Sequence, residues 1–156
     1  MRAISNALAA TIARAAVVLA LVLAASACDT EPTRPSDAAL NLTGTWRGNV
    51  TVAGIGTVMT CTLTHAASAV NGPVVIGVPS GTVLVNGILA GTLSGNVLTY
   101  TISVPPGGVN GQPACSGQFS GATNAVSSTT MNGTYNLTSS SCTTGFANGT
   151  FTLTKQ

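Results

Sequence analysis

The chain has 156 residues, enough for one well-filled core and too few for two, and only 5% of them are Asp, Glu, Lys or Arg against 45% hydrophobic. Its formal charge of +2 comes from Arg2 and Arg14, because Arg34, Arg47 and Lys155 balance Asp29, Glu31 and Asp37 in the remainder. A neutral domain has no cationic surface for phosphate backbones, so nucleic acid is not an expected partner.

The N-terminal segment has the three parts of a secretory signal. Arg2 and Arg14 supply a positive n-region, and Ala15 to Ala25 form an apolar run within the roughly 7–15 residues of an h-region. Ser26 and Ala27 are small enough for a cleavage site. The run is shorter than the ~20 residues a spanning helix needs, and the small residues end on Cys28.

Ala25-Ser26-Ala27-Cys28 resembles the lipobox of bacterial lipoproteins, although Ala25 stands where that family more often has Leu. The resemblance implies that residues 1–27 are a lipoprotein signal peptide, cut before Cys28, whose thiol is lipidated and whose new amine is acylated. Each buried methylene adds about 0.8 kcal/mol, and two or more chains anchor stably where one does not. The protein is then held on a bacterial membrane in the cell envelope, facing the periplasm or the cell surface; without lipidation of Cys28 it is secreted. Asp29 is similar to the residue that retains lipoproteins at the inner membrane of enteric bacteria. Residues 28–39 are rich in Pro, Ser and Thr with mixed charge, a composition that buries nothing and reads as a disordered spacer.

Residues 40–156 form the remaining domain. From Ala38 to Gln156 there is no Asp or Glu, and Arg47 and Lys155 are the only permanent charges. Thr, Val, Asn, Ser and Gly dominate, and apolar residues recur at every second position. Leu42, Gly44, Trp46, Gly48, Val50 and Val52 alternate with Thr43, Thr45, Arg47, Asn49 and Thr51. The same alternation runs through Met59–His65, Leu98–Val104, Gly117–Gly121, Met131–Leu137 and Gly149–Leu153. Such strands cover a core on one face and meet water on the other.

Turn signals separate the runs at Ala66–Ala69, Val78–Gly81, Ser94–Asn96, Pro105–Gly111, Thr123–Ser128 and Ser139–Gly145. Short connections favour antiparallel neighbours. About eight strands are expected, in an all-β sandwich or barrel. Leu42–Trp46, Leu89–Leu93, Met131–Tyr135 and Ala147–Phe151 share a weak repeat, apolar-x-Gly-Thr-large apolar. Gly and the large residue fall on one face, where small beside large interlocks inside a tapering barrel. A plain abundance of Gly and Thr gives the same pattern.

Gly44-Thr45-Trp46 is similar to the G-x-W that opens the first strand of calycins, the lipocalin and avidin superfamily. Domain length and the closing strand Gly149–Lys155 also look like that group, and the chain resembles small Thr/Gly-rich envelope lipoproteins. The resemblance implies an antiparallel up-and-down β-barrel of about eight strands. A C-terminal helix of the lipocalin type is missing, and the single Trp46 leaves out the tryptophan set of a biotin pocket.

Chemistry is constrained by what the domain lacks. General acid–base catalysis and a Ser-His-Asp triad need groups that one His and no carboxylate do not supply. Cys61 and His65 share a strand face, but four residues at ~3.3 Å place their Cα atoms about 13 Å apart, beyond a hydrogen-bonded dyad. No metal, cofactor or catalytic residue is expected. His65 reads as a structural histidine at a strand end and Arg47 as a solvated surface charge.

Of the three cysteines beyond Cys28, Cys115 and Cys142 pair if the chain turns near Thr123–Ser128, leaving Cys61 buried between Met59 and Leu63. The rival pairing is Cys61 with Cys115, both inward by parity. N-x-T matches at Asn41, Asn49, Asn132, Asn136 and Asn148 read as turn and outward residues. Two functions fit a non-catalytic, membrane-anchored barrel. One is a module holding a small apolar ligand against Trp46, Met59, Leu63, Tyr100, Phe119, Tyr135 and Phe151, although the same residues also simply fill a small barrel. The other is contact with an envelope protein, as an inhibitor or accessory, through loops such as Pro105–Gly111.

Overall fold

The computed structural model describes residues 40–52, 54–142 and 148–156. The signal peptide, Cys28, Asp29 and the spacer lie outside the described residues.

Period-two patterning produces eight strands: β1 (Gly44–Val52), β2 (Ile55–Ala66), β3 (Ala69–Gly77), β4 (Val83–Ser94), β5 (Val97–Val104), β6 (Gly117–Val126), β7 (Thr130–Ser140) and β8 (Gly149–Lys155). Each pairs antiparallel with the next, and β8 pairs back onto β1 through Trp46↔Lys155 to Val50↔Phe151. The sheet closes into an all-β, up-and-down barrel with no free edge. Most of its large apolar side chains point in, and the outer face is mostly Thr, Asn and Ser with a few apolar residues such as Ile55 and Ile88.

Two turn expectations need correction. The Thr123–Ser128 signal overreaches: β6 continues to Val126 through a register shift at Thr123/Ala125, and Ser127 caps the tight turn by accepting from the Thr130 N–H (2.9 Å). Thr123 is buried because its Oγ1 accepts the Leu98 N–H (2.8 Å), a tertiary bond that overrides its turn propensity. The β1–β2 hairpin, which no turn signal marked, closes at Gly54, whose positive φ of 79° suits a residue without Cβ.

Large and small side chains alternate around the interior. One cross-strand row runs Val70, Gly91, Tyr100, Gly121, Tyr135, Gly149. Each tyrosine crosses over a glycine to reach a backbone carbonyl two strands away. Tyr100 on β5 passes Gly121 and donates to Thr134 O on β7 (2.9 Å), and Tyr135 passes Gly149 and donates to Thr51 O on β1. Tyr100 meets Phe151 edge-to-face at 6.0 Å, as Phe119 meets Tyr135 at 5.8 Å.

A short strap, Leu40–Thr43, closes one end. Leu42 is fully buried there, its carbonyl accepts from Trp46 Nε1 (2.8 Å), and its N–H donates to His65 Nδ1 (3.4 Å). Lys155 lies over the Trp46 ring, 5.6 Å from its centroid, and donates to the Asn41 carbonyl (3.1 Å). At the other end the Cys115–Cys142 disulfide, with Cα atoms 4.8 Å apart, ties the β5–β6 connection to the end of β7.

Candidate functional site

The structure brings all seven candidate lining residues, Trp46, Met59, Leu63, Tyr100, Phe119, Tyr135 and Phe151, into the interior. They do not surround one chamber. Trp46 near the start of β1 and Phe119 near the start of β6 lie toward opposite ends, since successive strands run antiparallel. Among the described residues, small apolar voids lie between these side chains. One, near Val52, Ile76 and Phe119, holds about 20 Å³, and one near Cys61, Leu98 and Phe151 holds about 10 Å³. A pocket for an organic ligand measures roughly 300–1,000 Å³. Voids of this size take at most about one water, and their walls present no polar group to hold it. The interior is filled.

The groups with chemistry are scattered. Cys61 is free, buried, and has its thiol pushed up to about 12 by desolvation, which makes it a poor nucleophile. Burial raises Tyr100 above its ordinary value, with Cys61 and Tyr135 adding to the shift, and burial likewise raises Tyr135. His65 sits at the strap: its N–H donates to Thr43 Oγ1 (3.0 Å), its Nδ1 accepts from Leu42, and its buried Nε2 meets no partner among the described residues. Arg47 is exposed on β1. Among the described residues no three His, Cys, Asp or Glu side chains cluster to hold a metal.

Among the described residues a broad, open concavity of about 800 Å³ lies on the outer wall across β3–β7. Two register rows line it. One runs Asn71, Ala90, Thr101, Ser120, Asn136, and the other Thr92, Thr99, Ala122, Thr134. Between them Gly91 and Gly121 form the floor, where the absence of Cβ lets the wall bend inward. Sequence reasoning missed this groove. Its residues looked like an ordinary wet face, and only the register shows that Ala90 and Ala122 fall within rows of hydroxyl- and amide-bearing residues.

Compared with protein families, curated proteins and solved structures, the chain matches none. The architecture is nevertheless the eight-stranded closed antiparallel barrel that the likeness to calycins implied.

Proposed function

We propose that this protein is a non-catalytic lipoprotein of the bacterial cell envelope, anchored through Cys28, whose barrel is a rigid scaffold making its contacts on the outside. The observation that carries the reading is the contrast between an interior with voids of about 20 and 10 Å³ and an outer groove of about 800 Å³. The lipobox-like Ala25–Cys28 supports the anchor. The scattered Cys61, His65 and Arg47, with no carboxylate in residues 40–156, support a role without catalysis.

The alternative, contact through the loop end, is supported by how firmly the β5–β6 connection is held. Val109 bridges to Val85, Asn86 N–H donates to Gly108 O (2.7 Å), Asn110 N–H donates to Leu84 O (2.9 Å), and the disulfide fixes its far end. A loop fixed in this way binds with little ordering cost.

Two measurements test the proposal. In membrane fractionation the full chain is expected with the envelope and Cys28→Ser in the soluble fraction; equal partition of both would remove the anchor. A thermal shift with benzene-sized apolar molecules is expected to be flat; a dose-dependent rise would restore the interior as a ligand site.

A further inference from the structure

We infer that the outer groove across β3–β7 is a binding site for an uncharged, hydroxyl-rich oligosaccharide. This rests on the reading that contacts are made outside the barrel. Four strand spacings of ~4.8 Å give the trough a length of about 19 Å, and its two rows, two residues apart, stand ~6.6 Å from each other. An open face of that extent suits an extended ligand lying across the strands better than a compact solute that needs enclosing walls.

The lining chemistry selects the ligand. No charged side chain faces the groove; Tyr100 reaches it only beneath the floor, with its hydroxyl committed to the Thr134 carbonyl. Arg47 and Lys155 stand on β1 and β8, around the barrel from β5, so an anionic polymer finds no cation here. An apolar ligand finds only methyl groups of Ala90, Ala122 and the threonines. An extended peptide adds to a sheet through an open edge, and the closed barrel has none.

What remains are hydroxyls and amides, each able both to donate and to accept, the same dual capacity that sugar hydroxyls have. Among the described residues the side chains of Asn71, Thr92, Thr99, Ser120, Thr134 and Asn136 make no hydrogen bond within the barrel, so their full capacity is turned outward. The methyl groups of Ala90 and Ala122, beside the bare Gly91 and Gly121, add small apolar patches against which the C–H face of a sugar ring can rest.

The test is isothermal titration of the detergent-solubilised full chain with cello-oligosaccharides and N-acetylglucosamine oligosaccharides, with a polyuronate as charged control. Saturable heat with a neutral oligosaccharide is expected, and none with the polyuronate. Two variants locate it. Thr99→Val with Ser120→Ala removes two outward hydroxyls at nearly constant shape and is expected to weaken binding by about tenfold, two hydrogen bonds' worth. Ala122→Tyr fills the trough and is expected to abolish binding, with an unchanged melting temperature showing that the barrel is intact. No heat with either neutral series, stronger binding of the polyuronate, or binding unaffected by both variants would overturn the assignment. None of these results bears on anchoring or on the filled interior, which the fractionation and apolar-ligand experiments read independently.

Discussion

Gly121→Ala is the most informative single substitution, because one added carbon meets two fixed neighbours. A Cβ at that position falls against the Thr134 carbonyl oxygen and lies 2.5 Å from the Tyr100 hydroxyl and 2.8 Å from its Cζ. The carbonyl belongs to the adjacent strand, and Tyr100 is held by the hydrogen bond that the methyl would disrupt. Overpacking of this kind costs about 1–3 kcal/mol, and loss of the Tyr100–Thr134 bond adds about 0.5–1.5 kcal/mol. Together they amount to roughly 2–4 kcal/mol, or about 8–16 °C in melting temperature at ~4 °C per kcal/mol for a domain of this size. Circular dichroism melts of the full chain would read it. Gly56→Ala is the control, since a Cβ there meets nothing within 4 Å, and a substitution of that kind stays within ~0.5 kcal/mol. Adding Tyr100→Phe to Gly121→Ala is expected to recover only the hydroxyl's share, because the carbonyl clash remains. If Gly121→Ala melts with Gly56→Ala, the interlocking of tyrosine over glycine does not hold the barrel.

Three further outcomes follow from the same packing. Replacing Cys115 and Cys142 by Ser opens a bridge between residues 27 apart and is expected to cost about 3–4 kcal/mol in the chain-entropy model, read by urea denaturation; a loss under ~1 kcal/mol would show the loop end to be held without it. Cys61, buried with its thiol raised to about 12, is expected to resist maleimide at pH 8 in the folded protein and to react fully in denaturant; prompt labelling of the native state contradicts its burial. Stability is expected to fall on the alkaline side. Cys61, Tyr100 and Tyr135 hold their protons more tightly folded than unfolded, so their contribution is intact below pH ~9; the Cys61 share is lost as pH rises toward about 12, by at most ~1.4 kcal/mol per pH unit, and the tyrosine shares are lost above the ordinary tyrosine range. Cys61→Ser should flatten that fall between pH 8 and 11. Between pH 5 and 3, where carboxylates usually make folding acid-sensitive, residues 40–156 have no Asp or Glu side chain to protonate.

How much of this was legible from residues alone differs along the chain. The strands carrying Trp46, Met59, Tyr100, Met131 and Phe151 alternate cleanly, so their faces and the all-β class could be read directly, while alternation left sandwich and barrel open and only the calycin likeness implied the closed barrel. β3 and β4 hid their faces because apolar residues also stand outside: Pro73 beside Val74, Val75 beside Ile76, and Ile88, 61% exposed, beside Leu89. Their period-two signal is lost in runs that only the pairing Pro73↔Ile88 resolves. The Cys115–Cys142 pair was legible because it sits at the open end of one hairpin, where Gly117 pairs with Ser140. The outer groove was not, because concavity depends on where Gly91 and Gly121 fall relative to each other across β5, a matter of register between three strands.

That dependence joins the two halves of the molecule's behaviour. In the form Gly-Thr-large apolar, glycine and the large residue face inward while threonine faces out, so the pattern that fills the core also clothes the wall in hydroxyls. Gly121, which lies outside that repeat because Ala122 and Thr123 follow it, shows both consequences at one residue. Its bare Cα lets Tyr100 cross beneath it to Thr134, which fills the interior, and lets the wall dip between Ser120 and Ala122, which opens the groove. Filling the inside and hollowing the outside are therefore one structural event, and a substitution at the glycine floor cannot change one without the other. Substitutions at Thr99, Ser120 and Ala122, whose side chains point away from the core, are the ones that separate binding from folding.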